Sequence, residues 1–311
     1  MKIDAQSFMQ KKIIYCLFAL IFMSVSYKGQ RHEIGVQLGM SNLVGDIGRT
    51  NYILQKPFRN TSVYGIPFYG GVLYRMNFNP YQTVRLNLGY SHIQFVDAVA
   101  KEQYRRDRKL GGTNSIFHAD LIFEYNFFPV NDEQKSLLSP YIFGGVGAML
   151  MNATKLMVEH DFKRVNGVAQ DPRDVLVNPT QDPEFFDTRE TFMSSNKMTM
   201  AIPFGVGLKY KFNYNWALFG EIMFRPTFSD SVDYSVIDDK DVKVTYNKDI
   251  PVSGGTKSIL QESPYLQVAE QRVADFLQNR QIGNINSKDW VNSVTLGLSY
   301  SFGRPPCYCE Q

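Results

Sequence analysis

The side chains of this chain with the most chemical capacity are charged or polar groups at every second position, and two cysteines close to its end. Glu33, Gln37, Arg75, Arg85, Asn87, His118, Asp120, Glu124, Lys209, Lys211, Glu221 and Arg225 fall on the polar phase of two-residue alternations, most of them between apolar neighbours. Acidic and basic members are nearly balanced. Groups of this kind can pair across a narrow enclosed space, or they can line an aqueous passage. Pairing is the expected arrangement where the space is dry, because a buried charge without a partner is costly. Cys307 and Cys309 are two residues apart. A bond between them closes a small strained ring, so a bond from either to another protein is an equal alternative, and metal binding by the pair alone is a weak third.

Other candidates are thin. Ser91 and His92 are adjacent, and His92 is the residue that could serve as a base in a lipid-modifying enzyme, but a neighbour pair brings no orienting partner. The chain's four histidines are scattered and form no HExxH pattern. Gly144, Gly145 and Gly147 sit in a strand pattern, where glycine relieves crowding, and do not make a phosphate loop. Asp238, Asp239 and Asp241 resemble a calcium loop loosely, without EF-hand spacing, and read as a solvated charged loop. No cofactor or metal is called for.

The elements that position these groups have a period of two. From Trp290 to Phe302 the odd-one-out in a row of alternating apolar residues is Asn292; Trp290, Val294, Leu296, Leu298, Tyr300 and Phe302 share one face, and Ser293, Thr295, Gly297, Ser299 and Ser301 the other. Seven further segments repeat the pattern: 32–43, 66–78, 84–95, 116–128, 141–151, 198–212 and 216–227. Their connections alternate in length. Short ones run through Asn79-Pro80, 129–140 and 213–215; long ones cover 44–65, 96–115, 152–197 and 228–289. The reading is all-β: an eight-stranded antiparallel transmembrane β-barrel with short periplasmic turns and long extracellular loops. Lipid-facing rows are predicted at Phe117, Ala119, Leu121, Phe123, Tyr125 and Phe127, and at Met198 through Phe212 on even numbers. Eight strands leave an interior that side chains can fill, which favours a charged plug over a conducting pore. Within the last loop, Pro264 and the apolar stripe to Leu277 predict a short amphipathic helix packed over the barrel mouth. The loop around 171–183 reads as irregular.

Bulk properties agree with export. Of 311 residues, 44% are hydrophobic and 14% aromatic, and the mean hydropathy of −0.25 is compatible with a wall whose alternate residues face lipid. Lys11 and Lys12 precede an apolar run to Met23 and then Ser24 and Ser26, the pattern of a secretory signal over 1–26. The barrel is then expected over 27–303 and a periplasmic CxC tail over 304–311, with both termini periplasmic and the protein in the cell outer membrane. The formal charge of +3 includes a net +2 from Lys2, Lys11, Lys12 and Asp4. The near-neutral remainder gives no argument for nucleic acid.

Glu33, Gly35, Gly39, Ser41, Asn42, Gly45 and Asp46 follow the spacing E-x-G-x-x-x-G-x-S-N-x-x-G-D. This resembles the opening of the PorG-type outer-membrane barrels of the type IX secretion and gliding machinery of Bacteroidota; Leu43 stands where an aromatic is common. The resemblance implies a non-enzymatic component that anchors or stabilises a periplasmic ring built from a lipoprotein and its partner (PorK and PorN, or GldK and GldN), alongside other type IX secretion components and outer-membrane lipid. A small porin or ligand-binding barrel, and a lipid-modifying barrel enzyme, are the alternatives.

Overall fold

The computed structural model describes residues 31–53, 55, 61–131, 137–162, 164–165, 168–169, 186–213, 215–246, 249–252, 255–258, 274–275, 278–279, 282–283 and 287–303. The expected signal segment 1–26, the tail with Cys307 and Cys309, the loop 171–183 and most of the expected helix 264–277 lie outside the described residues. Of that helix, Ala274 and Asp275 are helical.

The wall is built from β1 (Arg31–Val44), β2 (Phe68–Asn77), β3 (Gln82–Val96), β4 (Gly111–Asn126), β5 (Leu137–Phe162), β6 (Phe186–Ala201), β7 (Phe204–Lys211), β8 (Trp216–Phe224) and, after the short β9 (Val242–Tyr246), β10 (Trp290–Phe302). Each of β1 to β5 pairs antiparallel with the next. β5 pairs with β7, β7 with β8, β8 with β10, and β10 with β1, so the sheet closes on itself. β6 and β7 form one stave of this eight-membered ring. They are separated at Ile202-Pro203, where proline has no N–H for the ladder. The register nonetheless continues, from Ala201 opposite Gly147 to Phe204 opposite Gly144.

Alternation sorts side chains between two environments. Phe117, Leu121, Phe123 and Tyr125 on β4, Phe127 just after it, and Met198, Met200, Ile202, Phe204, Val206, Leu208, Tyr210 and Phe212 along β6 and β7, are all exposed on the outside. Among the largest fully buried side chains are Arg75, Arg85, Arg225, Tyr69, Tyr141, Lys209 and Phe219, and all of them point inward. An interior this crowded needs small residues opposite the large ones. Gly207 lies opposite Tyr141, and Gly297 opposite Phe219. At both glycines an added Cβ would run into the facing aromatic ring.

The short connection at Asn79-Pro80 is made by a side-chain turn. Asn79 Oδ1 accepts from the Tyr81 and Gln82 amides at 2.9 and 2.8 Å, the local bond that makes asparagine a turn former. At the opposite, loop end the wall continues further than 151 and 198. β5 and β6 remain paired up to Phe162 and Phe186, and β9 adds to β5 in parallel from Leu156 to His160. The expected loop boundary at Asn152 is therefore corrected. Alternation persists there with its burial inverted: the inward phase carries the exposed Lys155 and Glu159 and the outward phase the buried Leu156 and Val158, so it no longer reads as a membrane strand. Leu156 and Val158 bury their side chains against Ile237 instead of against lipid.

The wall ends with an apolar layer. Leu43, Ile93, Phe95, Ile116, Met149, Met151 and Val291 face inward near the loop end and meet Val232 from the segment after β8. That segment, 225–237, folds back into the mouth; Thr227, Ser229, Asp230, Ser231, Asp233 and Ser235 in it are buried. Gly297→Val should overpack the interior against Phe219 and cost about 1–3 kcal/mol. In detergent-folded protein the urea midpoint is expected to fall, whereas the outward-facing Gly70→Val, with only Leu38 nearby, should leave it close to wild type.

Candidate functional site: the filled barrel interior

β1, β2, β3, β4, β7 and β8, with Arg225 just after β8, bring the inward charges together in stacked layers. Nearest the turn end, Lys209 Nζ donates to both Glu33 oxygens at 2.8 and 2.9 Å and to Asn131 Oδ1 at 3.2 Å. Asn77 Nδ2 and Ser299 Oγ also donate to Glu33, at 2.9 and 3.3 Å. Lys211 is buried at the same end.

The central layer is a four-membered ion network. Arg75 Nε donates to both oxygens of Glu124 at 3.1 Å, and its Nη2 to Glu221 Oε1 at 3.3 Å. Arg85 Nη1 lies 2.6 Å from Glu124 Oε1 and also donates to Glu221. Tyr141 donates its hydroxyl proton to Glu221 at 2.5 Å. The guanidinium carbons of Arg75 and Arg85 stand 4.4 and 5.0 Å from the Phe219 and Phe143 ring centres. Adjacent inward arginines would repel; Arg75 and Arg85 are direct neighbours across β2 and β3, and the two glutamates between them offset that.

Above it, Arg225 donates from Nε and Nη2 to Asp120 Oδ2 at 3.2 Å each, and from Nη1 to Ser293 Oγ at 3.1 Å. Tyr69 receives Gln37 Nε2 at 3.0 Å and Arg225 Nη2 at 3.4 Å. Asn87 is buried between these layers with neither side-chain polar atom bonded. Arg75, Arg85, Lys209 and Arg225 thus face Glu33, Asp120, Glu124 and Glu221, four cations against four anions, each 2% exposed or less. The apolar layer at the mouth keeps water away from them, which strengthens each pair.

The nucleophile candidates separate. Consecutive strand residues face opposite ways, so Ser91 points inward and His92 outward. Ser91 Oγ meets His118 Nε2 at 2.7 Å, while His92 bonds Ser115 Oγ at 3.3 Å and the Tyr64 carbonyl at 3.0 Å. His118 Nδ1 has no bonded partner, so the buried Ser91–His118 pair lacks the third group that orients a catalytic base. Asp238 and Asp241, expected in a solvated charged loop, both pair with Lys197, and the Asp238 side chain stays 45% exposed.

Residue patterning did not single out Tyr69 and Tyr141, which supply hydroxyls to the network, nor Asp97. That buried aspartate accepts from Gly48 N at 2.8 Å and Arg108 Nε at 2.8 Å. Arg105 Nη1 meanwhile donates to the carbonyls of Gly45 and Gly48 at 3.1 and 3.0 Å. Two loops are thereby clasped at the mouth. Burial and neighbouring carboxylates push Asp230 up to about 7 and Asp289 to about 9.

The residues of the opening motif gather at the seam where β1 meets β10. Ser41 Oγ donates to the Asn292 carbonyl at 3.1 Å. Gly35 and Gly39 leave no room for a Cβ against the backbone of β10. Asn42 and Asn292 face each other in register. Both lie on the outward phase but are covered by the chain at 51–52, donating to the carbonyls of Asn51 and Tyr52 at 3.0 and 2.8 Å.

No match was found among curated proteins. Among solved structures, the chain is similar to Ail, the attachment invasion locus protein of Yersinia pestis, in complex with the heparin analogue sucrose octasulfate (12% identity, 88% of this chain and 99% of that one, TM-score 0.36). It is also similar to a major outer membrane protein of Thermus thermophilus (14%, 88% and 99%, TM-score 0.34) and to OprG of Pseudomonas aeruginosa (10%, 88% and 96%, TM-score 0.34). The family described as Domain of unknown function (DUF6089) matches over residues 11–171 and 269–311, which include both strands of the seam, and the chain belongs to that family.

Proposed function

We propose that this protein is a plugged outer-membrane barrel that serves as a non-enzymatic anchor in a protein secretion machine of the type IX kind, holding a periplasmic ring of the PorK/PorN or GldK/GldN type at the membrane. The observation that carries the plugged reading is the central ion network: its charges are paired with one another and sealed under an apolar layer, so the interior is occupied by the protein's own side chains. The apolar belt outside supports a place in lipid. The long connections then face outward and the short turns, with both chain ends, face the periplasm. The secretion role rests on the resemblance carried by Glu33, Gly35, Gly39, Ser41, Asn42, Gly45 and Asp46. A barrel with a filled interior acts through its surfaces, and the turn end together with the Cys307–Cys309 tail is the surface a periplasmic ring would meet.

Affinity purification of the full chain from its own outer membrane, with and without reductant, tests the anchor. Ring lipoprotein and its partner should co-purify, and a heavier adduct on non-reducing gels should vanish in the Cys307→Ser/Cys309→Ser variant. Recovery of the barrel free of ring proteins in both conditions would refute the anchoring role. Planar-bilayer recording tests the plug: wild type should be silent, and stable single-channel steps from it would sink the plugged reading. Glu221→Ala leaves Arg85 and Tyr141 without their shared acceptor and should cost about 3–5 kcal/mol, read as a lower chemical unfolding midpoint. Glu221→Gln, which keeps the acceptor oxygen, should lose less.

A further inference from the structure

Four aspartates from three separate segments meet at the loop end of the barrel. Asp46 follows β1, Asp230 and Asp233 belong to the segment folded into the mouth, and Asp289 precedes β10. Their exposures are 8%, 4%, 0% and 0%. Local hydrogen bonds use only some of their oxygens. Asp233 accepts from the Ile47 and Ser235 amides at 2.9 and 3.0 Å. Asp289 Oδ2 accepts from the Val232 amide at 2.9 Å. Asp289 Oδ1 and both oxygens of Asp230 have no hydrogen-bond partner.

Asp289 Oδ1 points into the cluster. Asp289 Oδ1 and Asp233 Oδ2 both crowd the position a Cβ would take on Gly45, and the Asp46 carboxylate crowds that position on Gly283, whose φ is +86°. Two glycines therefore keep open the space that the carboxylates face. Among the described residues, most of the cations at this end are already engaged. Lys288 faces Asp230. Lys197 is held by Asp238 and Asp241, Arg108 by Asp97 and the Asp46 carbonyl, and Arg105 by the carbonyls of Gly45 and Gly48. Buried carboxylate oxygens without a partner, as on Asp230 and Asp289, are costly.

We propose that the Asp46, Asp230, Asp233 and Asp289 cluster binds a hard divalent cation of the calcium class, which ties the exit of β1, the mouth segment and the entry to β10 together. The donor set is oxygen only, which suits calcium and not zinc or copper. Calcium's loose demand for six to eight oxygens also suits loop carboxylates better than the strict octahedron of magnesium. Among the described residues no three acidic groups already form a metal site, as like charges without a counterion hold apart; rotation of Asp230, whose oxygens hold no bond, is the movement that binding needs. An opening of about 680 Å³ reaches the cluster at Asp46, with Arg105, Arg108 and Lys288 also in its lining. The proposal does not depend on the secretion role.

The test uses the full chain folded in detergent, stripped with chelator and titrated calorimetrically with calcium chloride or magnesium chloride. Saturable calcium binding is expected with a Kd on the order of 10⁻⁴–10⁻³ M, as in extracellular calcium modules, together with a higher Tm in calcium than in chelator. Asp230→Asn should weaken binding roughly tenfold or more, and its Tm in chelator should exceed that of wild type because one uncompensated charge is gone. Asp289→Asn is the second variant. Absence of calcium binding by wild type overturns the proposal, as does wild-type affinity in either variant.

Discussion

An eight-stranded ring leaves an interior about one layer of side chains wide, and the packing of this protein follows from that width. A bulky group on one strand can be accommodated only if its neighbour across the ladder is small, as with Tyr141 against Gly207 and Phe219 against Gly297. A charge on one strand is within reach of charges on several others. Glu221 illustrates the second consequence. It receives Arg75 from β2, Arg85 from β3 and Tyr141 from β5, so one carboxylate on β8 couples staves from several parts of the wall. In a wider barrel these groups would be separated by water and each pair would contribute little.

The same width explains how much of the fold could be read from residues. Alternation specifies register wherever one face is greasy and the other polar, and the strand cores of β1 to β4, β8 and β10 follow it closely. It fails where the outside is no longer lipid. Beyond Met151 the inward phase of β5 turns to the exposed Lys155 and Glu159, and the outward phase, at Leu156 and Val158, covers Ile237 rather than lipid, so a period of two persists without its membrane contrast. Asn292 is the converse case. Its polarity on the outward phase looked like an exception, and it marks the height at which residues 51–52 cover the wall.

The interior was legible by type, and its pairing was not. Patterning places Glu33, Arg75, Arg85, Asp120, Glu124, Lys209, Glu221 and Arg225 inside, but which acid meets which base depends on the stagger between strands, and residue types do not encode that stagger. The tyrosines were hidden for a related reason. On an apolar phase a tyrosine reads as girdle, and only the inward parity of Tyr69 and Tyr141 puts their hydroxyls among the charges. The aspartate cluster lay beyond pattern altogether, since its members are spread from 46 to 289 and meet only once the ring has closed.

Closure also gives the opening motif a physical meaning. Gly35 and Gly39 let β1 lie close against β10, Ser41 and Asn42 tie the seam to the chain around it, and Gly45 and Asp46 carry the strand into the clasp of Arg105 and Arg108. Glu33 takes its place in the lumen beside Lys209. One short stretch thus specifies the seam, one ion pair of the interior and one corner of the mouth. Such a segment meets a structural requirement for closing and sealing a barrel, and its link to a partner runs through the family resemblance alone. Differences in partner between barrels that share this seam would therefore reside in the parts the motif does not constrain: the β5–β6 extension above the wall, and the turns and chain ends below it.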